Sequence, residues 1–174
     1  MRADPKTGEP LRDKNGDYVT VNYETYKNGV NSKRNYESQN LCLMAATFGV
    51  RLDEELAHWR LGYRALALVS FSQGAIMSLH YAATRPEGAA AIVAYAGRLV
   101  TPVVARSGTP LTLVHGVDDD VIPVRELERA ASAFGDAGYP VDAQALPGVG
   151  HTISAAGAML GRDALVRALA VGAA

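Results

Sequence analysis

From about residue 52 onward the chain predicts an α/β fold, a mainly parallel sheet with helices on both faces. Three observations carry this. Short apolar runs alternate with stretches of helical periodicity. The runs are apolar on both faces rather than alternating, as in strands of a parallel sheet covered on both sides. And 174 residues, 48% of them hydrophobic, suffice for one domain with a sizeable core.

The elements follow in order. Residues 53–61 have helical spacing, with Asp53 as cap and Gly62 as stop. Residues 66–71 read as a buried strand, and 74–84 as a helix ended by Arg85-Pro86. Residues 90–95 and 110–115 are the next two strands, 124–138 a helix, 141–146 a fourth strand and 155–170 a closing helix. Upstream, Leu41, Met44 and Phe48 recur at helical spacing before Gly49, which suggests a short helix over 41–48.

The first 44 residues are organised differently from 52–174. All four lysines and all six asparagines lie within residues 1–40, and beyond Asn40 every basic residue but histidine is arginine. Lysine and arginine carry the same charge, so folding alone does not demand this split, and a chimeric chain accounts for it simply. Asn15-Gly16 and Asn28-Gly29 are hairpin-turn signals, and 18–23 reads as a strand, which suggests a polar hairpin over 11–23. The segment has too few aliphatics for a core of its own.

Composition excludes several classes of function. A formal charge of −1 creates no field for nucleic acid or anionic membrane. Within 1–40, six acids offset seven bases, so the lysines and tyrosines there make no basic patch. No apolar run approaches the roughly 20 residues of a membrane span, and the polar start lacks the form of a signal peptide. The single Cys42 excludes an internal disulfide and fits a reducing, cytoplasmic setting.

Chemistry is suggested by three residues. Val69-Ser70-Phe71-Ser72-Gln73-Gly74 lies between a predicted strand and a predicted helix, the context of a nucleophile elbow, which raises a serine on a tight turn at the tip of a sheet. Ser70 stands where such elbows carry their first glycine. Asp119 follows a strand in His115-Gly116-Val117-Asp118-Asp119-Asp120-Val121-Ile122-Pro123, where a carboxylate can accept the Nδ1–H of a histidine. A solvated or metal-binding loop is the competing reading of the three aspartates, but no ligand set accompanies them. His151 lies in the glycine-rich Pro147-Gly148-Val149-Gly150-His151-Thr152, from which an imidazole can reach a serine and act as its base. His58 and His80 read as surface or packing residues, and His115 as a local hydrogen-bonding residue at a strand end.

These three motifs, in the order Ser, Asp, His, resemble the phospholipase/carboxylesterase family of α/β-hydrolases, which includes acyl-protein thioesterases and bacterial carboxylesterases. The resemblance runs from about Leu52 to Ala170. Phe71-Ser72-Gln73-Gly74 with Ala75-Ile76-Met77-Ser78-Leu79 is similar to the family's elbow and helix, Val114-His115-Gly116 through Val121-Ile122-Pro123 to its acid loop, and Pro147-Gly148-Val149-Gly150-His151 with Ile153-Ser154 to its histidine loop. It implies a partial α/β-hydrolase fold and a serine esterase or thioesterase acting on small acyl esters. Ser72 would be the nucleophile, His151 the base, Asp119 the orienting acid, and the Gln73 backbone N–H an oxyanion-hole donor. Leu99, Val100, Val121 and Ile122, on loops near the strand ends, would give an apolar acyl pocket. No cofactor or metal is called for, and no nucleic acid or membrane span.

The family's loop beginning His-Gly, which supplies the second oxyanion-hole donor, has no counterpart, since the only His-Gly pair is His115-Gly116. The strand bearing the nucleophile would also lack one partner. A bare apolar edge invites pairing, through the polar hairpin or in a homo-oligomer. A truncated, chimeric hydrolase remnant, non-catalytic or serving as an interaction module, therefore stands as the alternative reading.

Overall fold

In the computed structural model the backbone is described for residues 33–171 and side chains for Met44 and residues 47–170, so the expected hairpin at 11–23 lies outside the described residues. The chain forms two compact units, Met1–Met44 and Ala45–Ala174. Of the first, only the beginning of helix α1 (Lys33–Trp59) falls among the described residues.

The second unit carries the sheet. Its elements are the end of α1, a 3-10 turn (Tyr63–Ala65), β1 (Ala67–Phe71), α2 (Gln73–Thr84), β2 (Ala91–Tyr95), β3 (Leu111–Gly116), α3 (Arg125–Asp136), β4 (Val141–Leu146) and α4 (Ala155–Val171). The four strands lie in the order β1-β2-β3-β4 and every pairing is parallel. Leu68 pairs with Ile92, Ile92 with Leu111, and Leu111 with Val141.

The period-two alternation of side chains sorts the core into two layers. Ile92, Ala94, Leu111 and Leu113 face α2 and α3, meeting Leu79, Ala82, Leu127 and Phe134. Val93, Tyr95 and Val114 face the other way, onto Ala164, Leu160 and Leu165 of α4. Helices thus cover both faces, as the apolar runs require. In α3, Leu127, Ala130 and Phe134 recur at helical spacing and form its buried stripe. Phe134 meets Tyr139 edge-on at 5.1 Å, and the Tyr139 hydroxyl donates to the Ala82 carbonyl at 2.7 Å.

Three expectations need correction. The two helices read at 41–48 and 53–61 are one, α1, because Gly49 lies inside it rather than ending it. A glycine costs an interior helical turn about 1 kcal/mol, and tertiary packing offsets that here: the Arg85 guanidinium lies against Gly49 where a Cβ would crowd it. Asp53 is accordingly no cap. Its carboxylate accepts from Arg85 Nη2 at 3.0 Å and from the Tyr63 hydroxyl at 2.8 Å, fastening α1 to the end of α2. Nor is Gly62 the stop. Arg60 takes the left-handed conformation, φ 54°, with Leu61 N–H bonded to Leu56 O and Arg60 N–H to Ala57 O, the Schellman pattern.

Third, only β2 and β3 are buried throughout. Strand β1 is an edge among the described residues, with Val69 56% exposed, and β4 is the other edge, half-exposed along its length.

Candidate active site

The parallel sheet gathers the loops that follow β1, β3 and β4 at one rim, where open α/β sheets place their ligands. Ser72 stands directly after β1 and at the N-terminal cap of α2, with φ 52° and ψ −116°. That conformation strains any residue with a Cβ and is the signature of a strand turning sharply into a helix. The turn is held from both sides: Ser72 N–H donates to Tyr95 O at 2.9 Å, and Ile76 N–H to Ser72 O at 3.1 Å. Ser70 fits in place of glycine: its hydroxyl donates to the Val93 carbonyl at 3.3 Å, and its Cβ has ordinary van der Waals room beside Gly74.

The three sequence-predicted residues meet. Ser72 Oγ lies 2.9 Å from His151 Nε2, and His151 Nδ1 lies 2.8 Å from Asp119 Oδ2. Since a carboxylate accepts, Nδ1 carries the hydrogen, which leaves Nε2 as an acceptor for the serine hydroxyl. The Phe71 ring packs beside the imidazole at 4.9 Å.

Asp119 comes from the loop after β3 and is buried, whereas Asp118 and Asp120 on either side are exposed. Burial pushes its carboxyl up, but the hydrogen bond from His151 and the backbone N–H groups of Ile122 and Val121 act against this, and the net effect holds it below the usual carboxylate range. Among the described residues no three acidic, histidine or cysteine side chains cluster as metal ligands would.

The acid and histidine loops are built together. Asp118 N–H donates to Val149 O at 3.0 Å and Val117 N–H to Leu146 O at 2.9 Å. The carbonyls of Val149 and Gly150 pass so close to Gly116 that any Cβ there would collide with them. Glycine at the end of β3 is therefore what lets the loop carrying His151 lie over the loop carrying Asp119.

The remaining predicted residues divide. Gln73 is the first residue of α2, whose N–H groups point out along the helix axis beside Ser72. Val121 is 63% exposed and Val100 half-buried. Leu99 packs against the main core, and Ile122 is buried with its carbonyl bonded to His115. His115 reaches further than its sequence context suggested. Besides the local bond to Ile122 O at 2.8 Å, its Nε2 lies 3.3 Å from Asp119 Oδ2. The only sequence signal was its place at the strand end immediately before Gly116.

With this geometry in view, the comparisons with known proteins are specific. The Phospholipase/Carboxylesterase family model matches residues 30–160. The chain belongs to that family. The match begins upstream of Leu52, where the resemblance in sequence motifs starts. Over 105 residues the chain is 34% identical to Esterase YpfH of Escherichia coli (strain K12), an alignment covering 58% of this chain and 45% of that protein. The chain thus spans less than half the length of YpfH. Among solved structures, esterase PE8 superposes with a TM-score of 0.63 at 30% identity, covering 76% of this chain and 61% of its own. SOBER1 of Arabidopsis thaliana superposes at 0.69 and 20% identity, with 76% and 66% covered, a likeness of fold. The sheet and its helices are a partial α/β-hydrolase fold.

Proposed function

We propose that this member of the phospholipase/carboxylesterase family is a serine carboxylesterase or thioesterase that cleaves small acyl esters through an acyl-enzyme. The observation that carries the reading is the unbroken relay of 2.9 Å and 2.8 Å from Ser72 through His151 to a buried Asp119. His151 Nε2 takes the proton of Ser72 as Oγ attacks the acyl carbon, and Asp119 stabilises the imidazolium that forms. The developing oxyanion is met by the Gln73 N–H at the positive end of α2. His151 then returns the proton to the departing alkoxide or thiolate, and a water activated by the same imidazole releases the acid. Val100 and Val121 offer the acyl group apolar surface. The proposed setting is the cytoplasm, and the reaction uses no cofactor.

A second reading, a binding module that does not turn over, is favoured by one observation: Gln73 is the single oxyanion donor the motifs supply. Losing one of two donors costs about 10²–10³ in rate, roughly 2.7–4 kcal/mol, so the first reading predicts a slow enzyme on activated esters. Hydrolysis of p-nitrophenyl acetate by the purified chain decides between them. Turnover that disappears in both Ser72→Ala and His151→Ala supports the esterase. A folded, inactive chain leaves the binding module.

A further inference from the structure

The Asp119 side chain has no exposed surface (0%), so each carboxylate lone pair must find a donor within the protein or go without. A carboxylate offers about four acceptor positions. Three are taken by groups already described: Val121 N–H and Ile122 N–H donate to Oδ1 at 2.9 and 2.8 Å, and His151 Nδ1–H donates to Oδ2 at 2.8 Å. Beside Oδ2 stands His115, whose Nε2 is 3.3 Å from that oxygen and 2.8 Å from the Ile122 carbonyl. A carbonyl can only accept. Nε2 therefore bears the hydrogen and donates it to the Ile122 carbonyl, while the Asp119 carboxylate stands beside the ring at ion-contact distance.

The placement of this second imidazole is unlike that of the first. His115 is 1% exposed and stands on β3, a strand buried along its whole length. His151 is 18% exposed and stands on a loop. Its ring depends for its orientation on the oxygen it bonds, and His115 Nε2 lies 3.3 Å from that same oxygen.

We infer that His115 is a positioning residue of the proposed esterase: its Nε2–H anchors the Ile122 carbonyl, on the loop whose Val121 and Ile122 N–H groups hold Asp119 Oδ1, and so fixes the direction in which Oδ2 meets His151. The assignment rests on the triad reading of Ser72, His151 and Asp119 and extends it by one residue. It makes His115 a determinant of kcat, through the base, without any contact to substrate.

The test compares wild type with His115→Leu, which deletes the donor, and His115→Gln, whose amide N–H reaches a similar point. Three quantities are read: kcat and KM on p-nitrophenyl acetate, the melting temperature, and the far-downfield proton signal of the His151 Nδ1–H in histidine-labelled protein. Expected for His115→Leu is a loss of about 10- to 100-fold in kcat at unchanged KM, with the His151 signal lost to solvent exchange. His115→Gln restores most of both. Full kcat and an intact signal in folded His115→Leu would overturn the assignment, as would a folded His115→Gln that recovers neither. A wild type that hydrolyses nothing refutes the esterase reading instead, and the His151 signal still decides the role of His115. Should His115→Leu fail to fold, the nitrogen shifts of His115 in wild type decide: a hydrogen on Nδ1 rather than Nε2 contradicts the bond to the Ile122 carbonyl.

Discussion

Two residues of the site are held in states their own chemistry disfavours, and each can be measured. Ser72 keeps φ 52°, a strain on the order of 1–3 kcal/mol for a residue with a Cβ. Ser72→Gly therefore raises stability by about 1 kcal/mol in urea denaturation while abolishing esterase activity. A less stable glycine variant would contradict the strained turn. Asp119 is held below the usual carboxylate range although burial pushes it up. A depressed carboxylate contributes stability above its unfolded value, roughly 3.9, and the contribution is lost as pH falls through the folded value. The urea midpoint of wild type accordingly drops on acidification below about pH 4 more steeply than that of Asp119→Asn. The same substitution lowers kcat on the order of 10³–10⁴-fold, since it spoils the tautomer of His151. Parallel acid profiles in the two proteins would remove Asp119 from the relay.

At the scale of elements, two glycines decide how closely pieces approach. Gly161 lies where α4 crosses the Tyr95 hydroxyl, which donates to Gly157 O at 3.2 Å, and a Cβ at 161 would collide with that hydroxyl. Alanine is the better helix former by about 1 kcal/mol, yet the collision predicts that Gly161→Ala destabilises. Adding Tyr95→Phe to it recovers stability, although Tyr95→Phe alone costs a hydrogen bond; additive losses in the double-mutant cycle would refute the contact. Gly116→Ala is expected to separate the acid and histidine loops and abolish p-nitrophenyl acetate turnover, and full turnover in the folded variant would contradict the close approach. How far the sequence revealed these elements depended on how local their causes are. The strands and helices from 67 onward are written in runs and periods, and their ends fell within a residue or two of the expected positions. Helix α1 was not legible as one element, because the reason for a glycine inside it is the approach of Arg85, 36 positions further along the chain. His115 was similarly hidden: no local pattern says that a strand-end histidine will turn towards a carboxylate on the following loop.

For the whole molecule, the sheet presents β1 as an edge among the described residues, and its exposed face is apolar. Val69 shares a groove there with Ile153, Val166 and Leu169, all exposed. A strand edge with apolar surface beside it favours pairing with another chain. Val69→Lys is expected to lower concentration-dependent self-association in sedimentation velocity without altering the site, and association identical in both proteins would rule β1 out as its cause. Ser72 sits just past the tip of this same strand, so its placement depends on β2, through Tyr95, and on α2. The alternation of apolar runs foretold the three layers, and the missing family loop foretold a β1 without one partner, but the exposure of β4, the other edge among the described residues, was not legible, because edge status is a property of the partners a strand has.

The central claim is that Ser72 is a nucleophile activated by His151. Its most direct measurement is covalent labelling with a fluorophosphonate, followed by mass spectrometry of the proteolysed chain. A phosphonyl adduct on Ser72, slowed severely in His151→Ala, is the predicted result. A folded wild type left unlabelled, or labelled elsewhere, would contradict it.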